Sequence, residues 1–433
     1  MKLFNRMILC LCALLMLSSC DDDNNDEKKT LAKRTVLIYM CAENNLDEYG
    51  YFNNNMRDIE TGSKSLPDDV NLIVFVDRQS KIERPYIARC SKEGVTKLKV
   101  YDEDFYSVDI DRMKEVMSWV SHEYPAESYG LSLWGHANGW IPVSERYVVA
   151  TAGAKVSYKA YGADSGADNT GGSEGYKYIN IPELNEAISS SFPRLDFIFF
   201  DCCQAMCAEL VYELRNSARY IIGSPAEIPG RGAPYVYVVP DFFLEKEKVG
   251  PAIVNHYIEK WMTDKENTSS HGIPLAVVDE DRMGDFAHAT AQALGTFMNN
   301  CQYPDQLDMT GVIYYGRTTY SAGCPCFYDI NDIMQRNLSE EDYKAWHEVM
   351  KQTVVYSTFP GDYMQQGLKN WMSVEGISFS SFDITDTTYG GLSMFVPQTY
   401  YQFVSAGYLN PNVSIFSMKW TDIVDWSQWG WTR

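Results

Sequence analysis

From residue 35 onward, short apolar runs alternate with segments that suit helices, and this alternation limits the fold more than any other feature of the sequence. Near-continuous apolar runs are typical of strands that are covered on both faces. Such runs occur at Thr35–Met40, Val70–Asp77, Tyr129–Trp134, Asp196–Asp201 and Tyr220–Gly223. Strands that alternate with helices predict an α/β fold, with a mostly parallel sheet flanked by helices on both faces.

The segments between these runs carry helix signatures. Apolar residues recur at helical spacing from Met113 to Val120. Another helix is predicted to start after Asn180, because Glu183 stands three residues further on and the two residues form a capping-box pattern. A third helix is predicted over Cys203–Asn216, directly after the fourth apolar run.

Beyond residue 245 the pattern is less regular. Ile273–Asp279 and Gly390–Pro397 predict strands, and Arg282–Asn299 predicts a helix. We therefore divide the folded chain into an α/β domain over residues 35–245 and a C-terminal subdomain over residues 246–433 that extends the same fold.

The N-terminus is predicted to lie outside the fold. A short positive start precedes the apolar run Met7–Leu17, which is too short to span a bilayer as a mature helix. The run ends in the sequence LSSC, a lipobox pattern in which Cys20 accepts the lipid. The pattern predicts a signal peptide over residues 1–19 and an acidic tether over residues 20–34. It indicates an exported lipoprotein of the cell envelope, at the outer membrane or cell surface; the alternative is a plain secretory signal with a chance cysteine.

The chain is acidic, with a formal net charge of −21 at pH 7. Nucleic acid binding depends largely on neutralising phosphates with basic groups, so a nucleic acid partner is not expected. The cysteines beyond the lipobox are sparse and irregularly spaced for an exported chain of this size. They therefore do not indicate a disulfide framework.

Residues that suit covalent catalysis follow two of the predicted parallel strands. His136 comes two residues after the strand that ends at Trp134, and Asp201, Cys202 and Cys203 close the next central strand along the chain. Functional groups in such sheets collect at the carboxyl ends of the strands. We therefore expect His136 and Cys203 to lie close together.

This pairing predicts nucleophilic catalysis by a thiol. A cysteine attacks as the thiolate, and both a helix N-terminus and a neighbouring histidine favour that form. His136 can accept the proton and return it to the leaving amine. The backbone N–H groups of Ala137 and Cys203 can hold the developing oxyanion.

Two other interpretations of these residues remain open. Taken singly, a histidine at a strand end or a Cys-Cys pair is usually structural. Cys202, Cys203, Cys207 and His136 are also potential metal ligands, but the gap between Cys203 and Cys207 lies outside the commoner spacing. We expect no metal at these residues and no cofactor.

The sequence resembles the clostripain family of cysteine peptidases, which are relatives of caspases. The resemblance rests on an apolar strand that ends in His followed by a second that ends in Asp-x-Cys, here YGLSLWGHANGW and FIFFDCC, and it extends over most of residues 35–430. It implies a caspase-like fold and a cysteine endopeptidase with a His136–Cys203 dyad acting on protein or peptide substrates. It also implies that Asp201 lines the primary specificity pocket, so that bonds after arginine or lysine are cleaved.

Several finer points stay open. Asp201 is alternatively a buried acid that caps the neighbouring turn. Ala137 replaces a glycine that is common in the family, and Arg231 stands where some members place a second acid. Some members need calcium, but the acids Asp164 and Asp168 are too scattered in the sequence to indicate a site.

Two functional hypotheses follow. The first is an active endopeptidase, for which the resemblance also implies maturation by a cut within residues 139–178, with self-cleavage after Arg146, Lys155, Lys159 or Lys177 as a further hypothesis. The second is a catalytically silent cell-surface lipoprotein that binds peptides or glycans through aromatic stacking on the tryptophans near its C-terminus. The presence of both His and Cys of the dyad favours the first.

Overall fold

A computed structural model describes residues 31–79, 81–142, 160–166, 176–263, 271–299, 307–316, 325–358, 370–371, 382, 384–385, 387–399 and 410–431. Residues 32–433 group into one compact unit. The leader, Cys20 and the cleavage candidates Arg146, Lys155 and Lys159 lie outside the described residues. Among the helices that are described, none has the length and apolar character needed to cross a membrane.

The strands of the described chain are numbered in chain order. They are β1 (Ala32–Cys41), β2 (Val70–Asp77), β3 (Tyr86–Ser91), β4 (Gly94–Val100), β5 (Ala126–Trp134), β6 (Tyr161–Asp164), β7 (Lys177–Ile179), β8 (Leu195–Asp201), β9 (Ala218–Gly223), β10 (His271–Gly272), β11 (Ala276–Asp279), β12 (Tyr328–Asp329), β13 (Val354–Ser357), β14 (Asn370–Trp371) and β15 (Ser393–Met394).

The helices are numbered in the same way. They are α1 (Asn45–Glu48), α2 (Tyr51–Ser63), α3 (Ile110–Glu123), α4 (Ile181–Ser191), α5 (Ala208–Leu214), α6 (Tyr235–Asp241), α7 (Lys246–Thr263), α8 (Glu280–Asn299), α9 (Ile330–Asn337), α10 (Glu340–Thr353) and α11 (Pro411–Ser414), followed by three short 3-10 turns at Ile415–Ser417, Lys419–Asp422 and Trp426–Trp429.

The main sheet has nine strands in the order β13-β11-β9-β8-β5-β1-β2-β3-β4. Its centre, from β9 through β8, β5 and β1 to β2, is parallel. Both edges are antiparallel, with β3 and β4 on one side and β11 and β13 on the other. The prediction of a mostly parallel sheet flanked by helices is confirmed.

The central strand β1 shows why these segments occupy the middle of the sheet. Val36 and Ile38 belong to one apolar core, whereas Leu37 and Tyr39 belong to another. Neighbouring residues of a strand point to opposite faces of the sheet. A strand that is apolar at nearly every position therefore needs helices on both sides, here α2, α6 and α7 on one face and α3, α4 and α5 on the other.

The helix after β8 starts later than predicted. It begins at Ala208 with Cys207 as its N-cap, not at Cys203. Residues 202–206 form a turn whose backbone N–H groups bond to the segment after β9, as at Met206 N to Ser224 O (3.0 Å). The predicted helix was wrong in this part because these tertiary hydrogen bonds replace the first helical turn.

Other predicted strands are shorter than the sequence indicated. The late strand predicted over Gly390–Pro397 reduces to Ser393–Met394, which pairs with β12. The strand predicted over Ile273–Asp279 begins at Ala276. Within the segment 139–178, where the sequence suggested self-cleavage, Tyr161–Asp164 forms a short antiparallel pair with β7.

The tryptophans near the C-terminus are core residues. Trp420, Trp426, Trp429 and Trp431 are all buried, with at most 8% of each exposed. Trp420 packs edge-on against Tyr212 of α5. Side chains in this position do not present a stacking surface to a glycan or peptide.

The C-terminal part of the chain is joined to the sheet and to α5. Strands β11 and β13 extend the main sheet beyond β9. Phe395 N donates a hydrogen bond to Glu209 Oε1 in the first turn of α5, at 2.7 Å. Glu209 is fully buried, and this burial raises the pKa of its carboxyl to about 8. The contact between α5 and the C-terminal segment thus depends on a carboxyl group that stays largely protonated at neutral pH.

We expect the wild type to become less stable as the pH rises towards about 8, and Glu209→Gln to remove this part of the pH dependence. Between the ordinary pKa of 4.5 and the folded value of about 8, the unfolded chain binds fewer protons at this position than the folded chain does. The free energy of unfolding therefore falls as the pH rises through this window and levels off above it. Glutamine keeps an oxygen acceptor for Phe395 N but does not ionise.

Thermal unfolding midpoints measured from about pH 5 to about pH 8 test this expectation. The midpoint should fall less in Glu209→Gln than in the wild type, whereas the exposed control Glu245→Gln should follow the wild type. Parallel curves for all three proteins would contradict the role given to Glu209.

Candidate active site

The two sequence motifs lie at the carboxyl ends of neighbouring strands. Strands β5 and β8 pair in parallel, with Trp134 opposite Asp201. His136 and Cys203 each follow two residues beyond this pair. Because neighbouring strands lie about 4.8 Å apart, both segments leave the sheet at the same edge. The structure thus brings together the two segments that the strand pattern predicted to meet.

A glycine and a backbone hydrogen bond set the course of the chain around His136. Gly135, between β5 and the histidine, has a φ of 150°, in the region that favours glycine. A Cβ at this position would lie 3.3 Å from Cys41 O. His136 O then accepts a hydrogen bond from Gly162 N of β6, at 2.7 Å. The backbone at His136 is therefore hydrogen-bonded to β6.

The His136 ring has a side-chain partner in Asn45, the first residue of α1. Its Nε2 lies 2.7 Å from Asn45 Oδ1. An amide oxygen only accepts hydrogen bonds, so Nε2 carries the proton and Nδ1 is the basic nitrogen of the neutral ring. A histidine held in this tautomer can accept a proton at Nδ1. Asn45 was not predicted from the sequence, because an asparagine after a strand is an ordinary turn residue.

Cys203 lies in a tight turn, five residues before α5. Its Sγ accepts a hydrogen bond from Ile228 N, at 3.4 Å. The following residue, Gln204, has a φ of 55°, and its N donates to Ala226 O at 2.8 Å. Left-handed backbone at a residue other than glycine is uncommon and concentrates at functional sites. The segment after β9 therefore fixes a strained turn that leaves Cys203 partly exposed.

The neighbouring thiols differ from Cys203. Cys202 is fully buried, and this burial raises the pKa of its thiol well above the usual value. Burial has the same effect on the pKa of Cys207, the N-cap of α5. Since the thiolate is the nucleophile, neither buried thiol suits attack on a substrate. Of the three, Cys203 is the one with solvent access.

Ala137 forms an antiparallel bridge with Tyr161 of β6. The hydrogen bonds of this bridge come from the flanking N–H groups of Gly162 and Asn138. In such a pair, the N–H of the bridging residue itself points away from the partner strand. Ala137 is not among the described residues with positive φ. The backbone here consequently accommodates alanine without strain.

The carboxylate of Asp201 is almost fully buried, with 3% exposed. Its Oδ2 accepts hydrogen bonds from Ala233 N (3.0 Å) and Tyr235 OH (2.9 Å), and its Oδ1 accepts a longer one from Tyr257 OH (3.4 Å). Burial raises the pKa of Asp201 to about 6, and these hydrogen bonds oppose the rise. Asp201 thus supports the segment around Ala233, and Oδ1 is its less strongly bonded oxygen.

The segment beside Asp201 approaches it closely. Gly232 has a φ of 64°, and a Cβ there would lie 2.6 Å from Asp201 Oδ2. The preceding residue, Arg231, has an exposed side chain, and its carbonyl accepts a hydrogen bond from Asn55 Nδ2 at 2.8 Å. The turn therefore requires glycine at position 232, next to the Asp201 carboxylate. The exposed basic residue Arg231 directly precedes this glycine.

Cys202, Cys203, Cys207 and His136 were named from the sequence as potential metal ligands. Among the described residues, these four do not form a metal-binding cluster. One cluster of potential ligands does occur there, made by the buried carboxylates of Glu43, Asp77 and Asp164. The sequence did not reveal it, because each acid comes from a different segment and no spacing links them.

Comparisons with known proteins identify the family and the fold. The family model described as "Clostripain family" matches residues 38–428. A solved structure of a secreted cysteine protease from Bacteroides thetaiotaomicron, in complex with an irreversible peptide inhibitor, is 26% identical, with a TM-score of 0.69 over 92% of this chain and 100% of that chain. Among curated proteins, none matches this chain.

Two further solved structures share the fold at lower identity. An inactive zymogen protease from Parabacteroides distasonis is 24% identical, with a TM-score of 0.66 over 91% of this chain and 99% of that chain. A second secreted cysteine protease from Bacteroides thetaiotaomicron, iotapain, is 16% identical, with a TM-score of 0.67 over 91% of this chain and 99% of that chain.

The family match spans nearly the whole described fold, including the ends of β5 and β8. The fold itself, a mixed sheet with a parallel centre and helices on both faces, is that of the similar proteases. This chain belongs to the clostripain family and is a cysteine-type peptidase.

Proposed function

We propose that this peptidase is an endopeptidase in which Cys203 is the nucleophile and His136 the general acid and base. One observation carries the proposal: the parallel register of β5 and β8 sets both residues two positions beyond a hydrogen-bonded strand pair. The partial exposure of Cys203 and the bond from His136 Nε2 to Asn45 support it. A nucleophile beside a base that a third group orients is the general pattern of covalent catalysis.

The acylation half of the reaction begins with proton transfer. His136 Nδ1 accepts the thiol proton, and Cys203 Sγ attacks the carbonyl carbon of the scissile bond. The carbonyl oxygen becomes an oxyanion, which accepts hydrogen bonds from the N–H groups of Ala137 and Cys203. The C–N bond then breaks as His136 passes its proton to the leaving amine. A thioester between the substrate and Cys203 remains.

Water completes the cycle. His136 takes a proton from a water molecule, whose oxygen attacks the thioester carbon. The same N–H groups stabilise the second oxyanion. The C–S bond breaks, the carboxylic acid product leaves, and Cys203 recovers its proton from His136. Peptides as substrates are supported by the peptide inhibitor of the similar Bacteroides thetaiotaomicron protease.

Paired cysteine variants test the assignment of the nucleophile. We expect Cys203→Ala to lower peptide hydrolysis by roughly 10³-fold or more, and His136→Ala to do the same, because the two groups act as one unit. Cys202→Ala is the matched control and should keep activity within a few-fold of the wild type, since that thiol is fully buried. Rates come from a fluorogenic peptide library, with folding checked by circular dichroism. Activity retained by Cys203→Ala and lost by Cys202→Ala would overturn the assignment.

We also propose that the enzyme cleaves after arginine or lysine, with Asp201 as the counter-charge. Asp201 lies two residues before Cys203, and no basic side chain among the described residues forms an ion pair with it. Its Oδ1 has only the long bond from Tyr257 among the hydrogen bonds above. A guanidinium or ammonium group reaching this oxygen would gain a charge-assisted hydrogen bond. The acidic chain as a whole also attracts cationic substrates.

Substitution of Asp201 tests this preference. Asp201→Asn should lower kcat/KM for arginyl and lysyl reporters by about 10- to 100-fold relative to neutral reporters, because the ion pair is lost. In the wild type, the preference should strengthen as the pH rises through about 6, where Asp201 ionises.

The matched control is Asp329→Asn. Asp329 is another buried carboxylate that accepts bonds from a tyrosine hydroxyl (Tyr315) and backbone N–H groups, and burial raises its pKa to about 7. Its substitution should lower the thermal unfolding midpoint without changing the preference between reporters. If Asp201→Asn behaves in the same way, Asp201 is a structural acid and the proposed specificity fails.

We propose, finally, that the enzyme is an exported lipoprotein, held at the outer membrane or cell surface by a lipid on Cys20. The lipobox and the acidic segment after it support this placement. The similar Bacteroides thetaiotaomicron protease is itself described as secreted.

Fractionation of cells that express the full chain tests the anchor. We expect the wild type in the detergent phase and membrane fraction, and Cys20→Ala in the aqueous phase, because one thiol carries the lipid. Cys12→Ala, in the apolar run before the lipobox, serves as control and should behave as the wild type. Recovery of wild-type protein in the aqueous phase alone would exclude the anchor.

A further inference from the structure

The segment after β9 contacts both the proposed nucleophile and the proposed specificity residue. At one end, Ile228 N donates a hydrogen bond to Cys203 Sγ at 3.4 Å. At the other end, Ala233 N donates to Asp201 Oδ2 at 3.0 Å. Residues 228–233 therefore run from the thiol to the buried carboxylate, and a peptide that reaches both groups lies along this segment.

Arg231 is the basic residue of this segment, and its side chain is exposed. Asn55 Nδ2 donates to Arg231 O at 2.8 Å, and Oδ1 of the buried Asn55 accepts from Trp134 Nε1 at 2.9 Å. Gly232 N donates to Pro229 O at 2.8 Å, which closes the turn around Arg231. The backbone of Arg231 is therefore fixed relative to the end of β5, and a fixed backbone lowers the entropy cost of binding a ligand at its side chain.

We propose that Arg231 selects substrates with an acidic side chain just before the cleaved residue. This rests on the specificity proposed for Asp201, so that one peptide carries a basic group for Asp201 and an acidic group for Arg231. A guanidinium has five N–H donors in a planar fork that matches the two oxygens of a carboxylate, so it can bind a substrate carboxylate and keep an intramolecular bond.

The position of Arg231 in the segment determines which side of the scissile bond it contacts. Arg231 is two residues from Ala233, which bonds Asp201, and three residues from Ile228, which bonds Cys203. It therefore lies on the Asp201 side of the segment. The residue that enters the Asp201 pocket precedes the scissile bond, so the substrate side chains nearest to Arg231 precede that bond as well.

The net charge of the chain acts in the opposite direction. At −21, the protein repels acidic peptides at long range. Salt screens charges that are more than roughly 8 Å apart at physiological ionic strength, whereas a carboxylate in contact with the Arg231 guanidinium lies well inside that distance. The local ion pair therefore determines the preference, with the few-fold size that an exposed pair contributes.

Repulsion is the competing effect of the same side chain. A guanidinium close to Asp201 also opposes a basic substrate side chain that approaches this carboxylate. Repulsion would change the cleavage of all basic reporters by the same factor, whatever residue precedes the cleaved one. Pairing would change only the cleavage of peptides with an acidic residue there.

Matched peptides with Glu or Gln at each of the two positions before the cleaved residue separate the two effects. For the wild type at about 0.15 M salt, we expect kcat/KM to be about 2- to 5-fold higher with Glu at one of these positions, mainly through a lower KM, because an exposed pair forms equally in the ground state and the transition state. The ratio should approach one at about 1 M salt.

Variants assign the preference to one side chain. Arg231→Gln should lose the ratio between Glu and Gln peptides, and Arg231→Lys should keep part of it, since lysine retains the charge without the planar fork. The matched control is Arg112→Gln, which removes the same charge from an exposed position in α3, on the opposite face of the sheet. It should keep the ratio.

The proposal is overturned if the wild type does not distinguish Glu from Gln peptides, or if Arg231→Gln keeps the preference. An equal change for all basic reporters in Arg231→Gln, with the ratio unaltered, would identify repulsion instead. If Arg231→Gln does not fold, the wild-type ratio and its salt dependence still decide.

Failure of the Asp201 proposal gives a different result. It would appear as equal cleavage after basic and neutral residues, whereas the ratio between Glu and Gln peptides is measured at whichever residue the wild type cleaves. Hydrolysis of no peptide at all would overturn the proposed function and the role of Arg231 together.

Discussion

The hydrogen-bond ladder between β5 and β8 is the constraint on which the active site depends. Side chains alternate along a strand, so a slip of one residue in this pairing would turn each of them to the opposite face of the sheet. With Trp134 opposite Asp201, the histidine and cysteine segments leave the sheet side by side. The bond from Asn45 to His136 and the turn at Cys203 then orient groups that the ladder has already brought together.

The left-handed turn after Cys203 is closely packed by segments from distant parts of the chain. A Cβ on Gly139 would lie 2.8 Å from Gln204 O, and one on Gly316 would lie 2.2 Å from Gln204 Nε2. Ser393 N, from the far end of the chain, donates to Met206 O at 3.0 Å. A strained residue survives where neighbouring structure over-determines it. The part of the chain beyond residue 245 thereby contributes to the active site without supplying a catalytic group.

The sequence predicted those features that local patterns determine. The apolar run Val70–Asp77 is a strand with the bounds expected, and the capping box at Asn180 starts a helix as expected. The helix predicted from Cys203 was wrong in its first turn, because bonds to residues distant in sequence compete with helix formation there. Asn45 and the acids around Asp77 also escaped prediction. The contact of Asn45 with His136 and the convergence of these acids arise only when β1, β2, β5 and β6 come together, and no local sequence spacing indicates either one.

One consequence of the strand pairing concerns the covalent link between the two halves of the active site. Strand β5 ends at Trp134 and β8 begins at Leu195, and the bonds that align them run across the sheet. Strand β6 likewise reaches His136 through a hydrogen bond from Gly162. A nick anywhere in residues 143–159 would leave all of these bonds in place. The alignment of β5 and β8 therefore rests on hydrogen bonds across the sheet and not on the covalent link between the two strands.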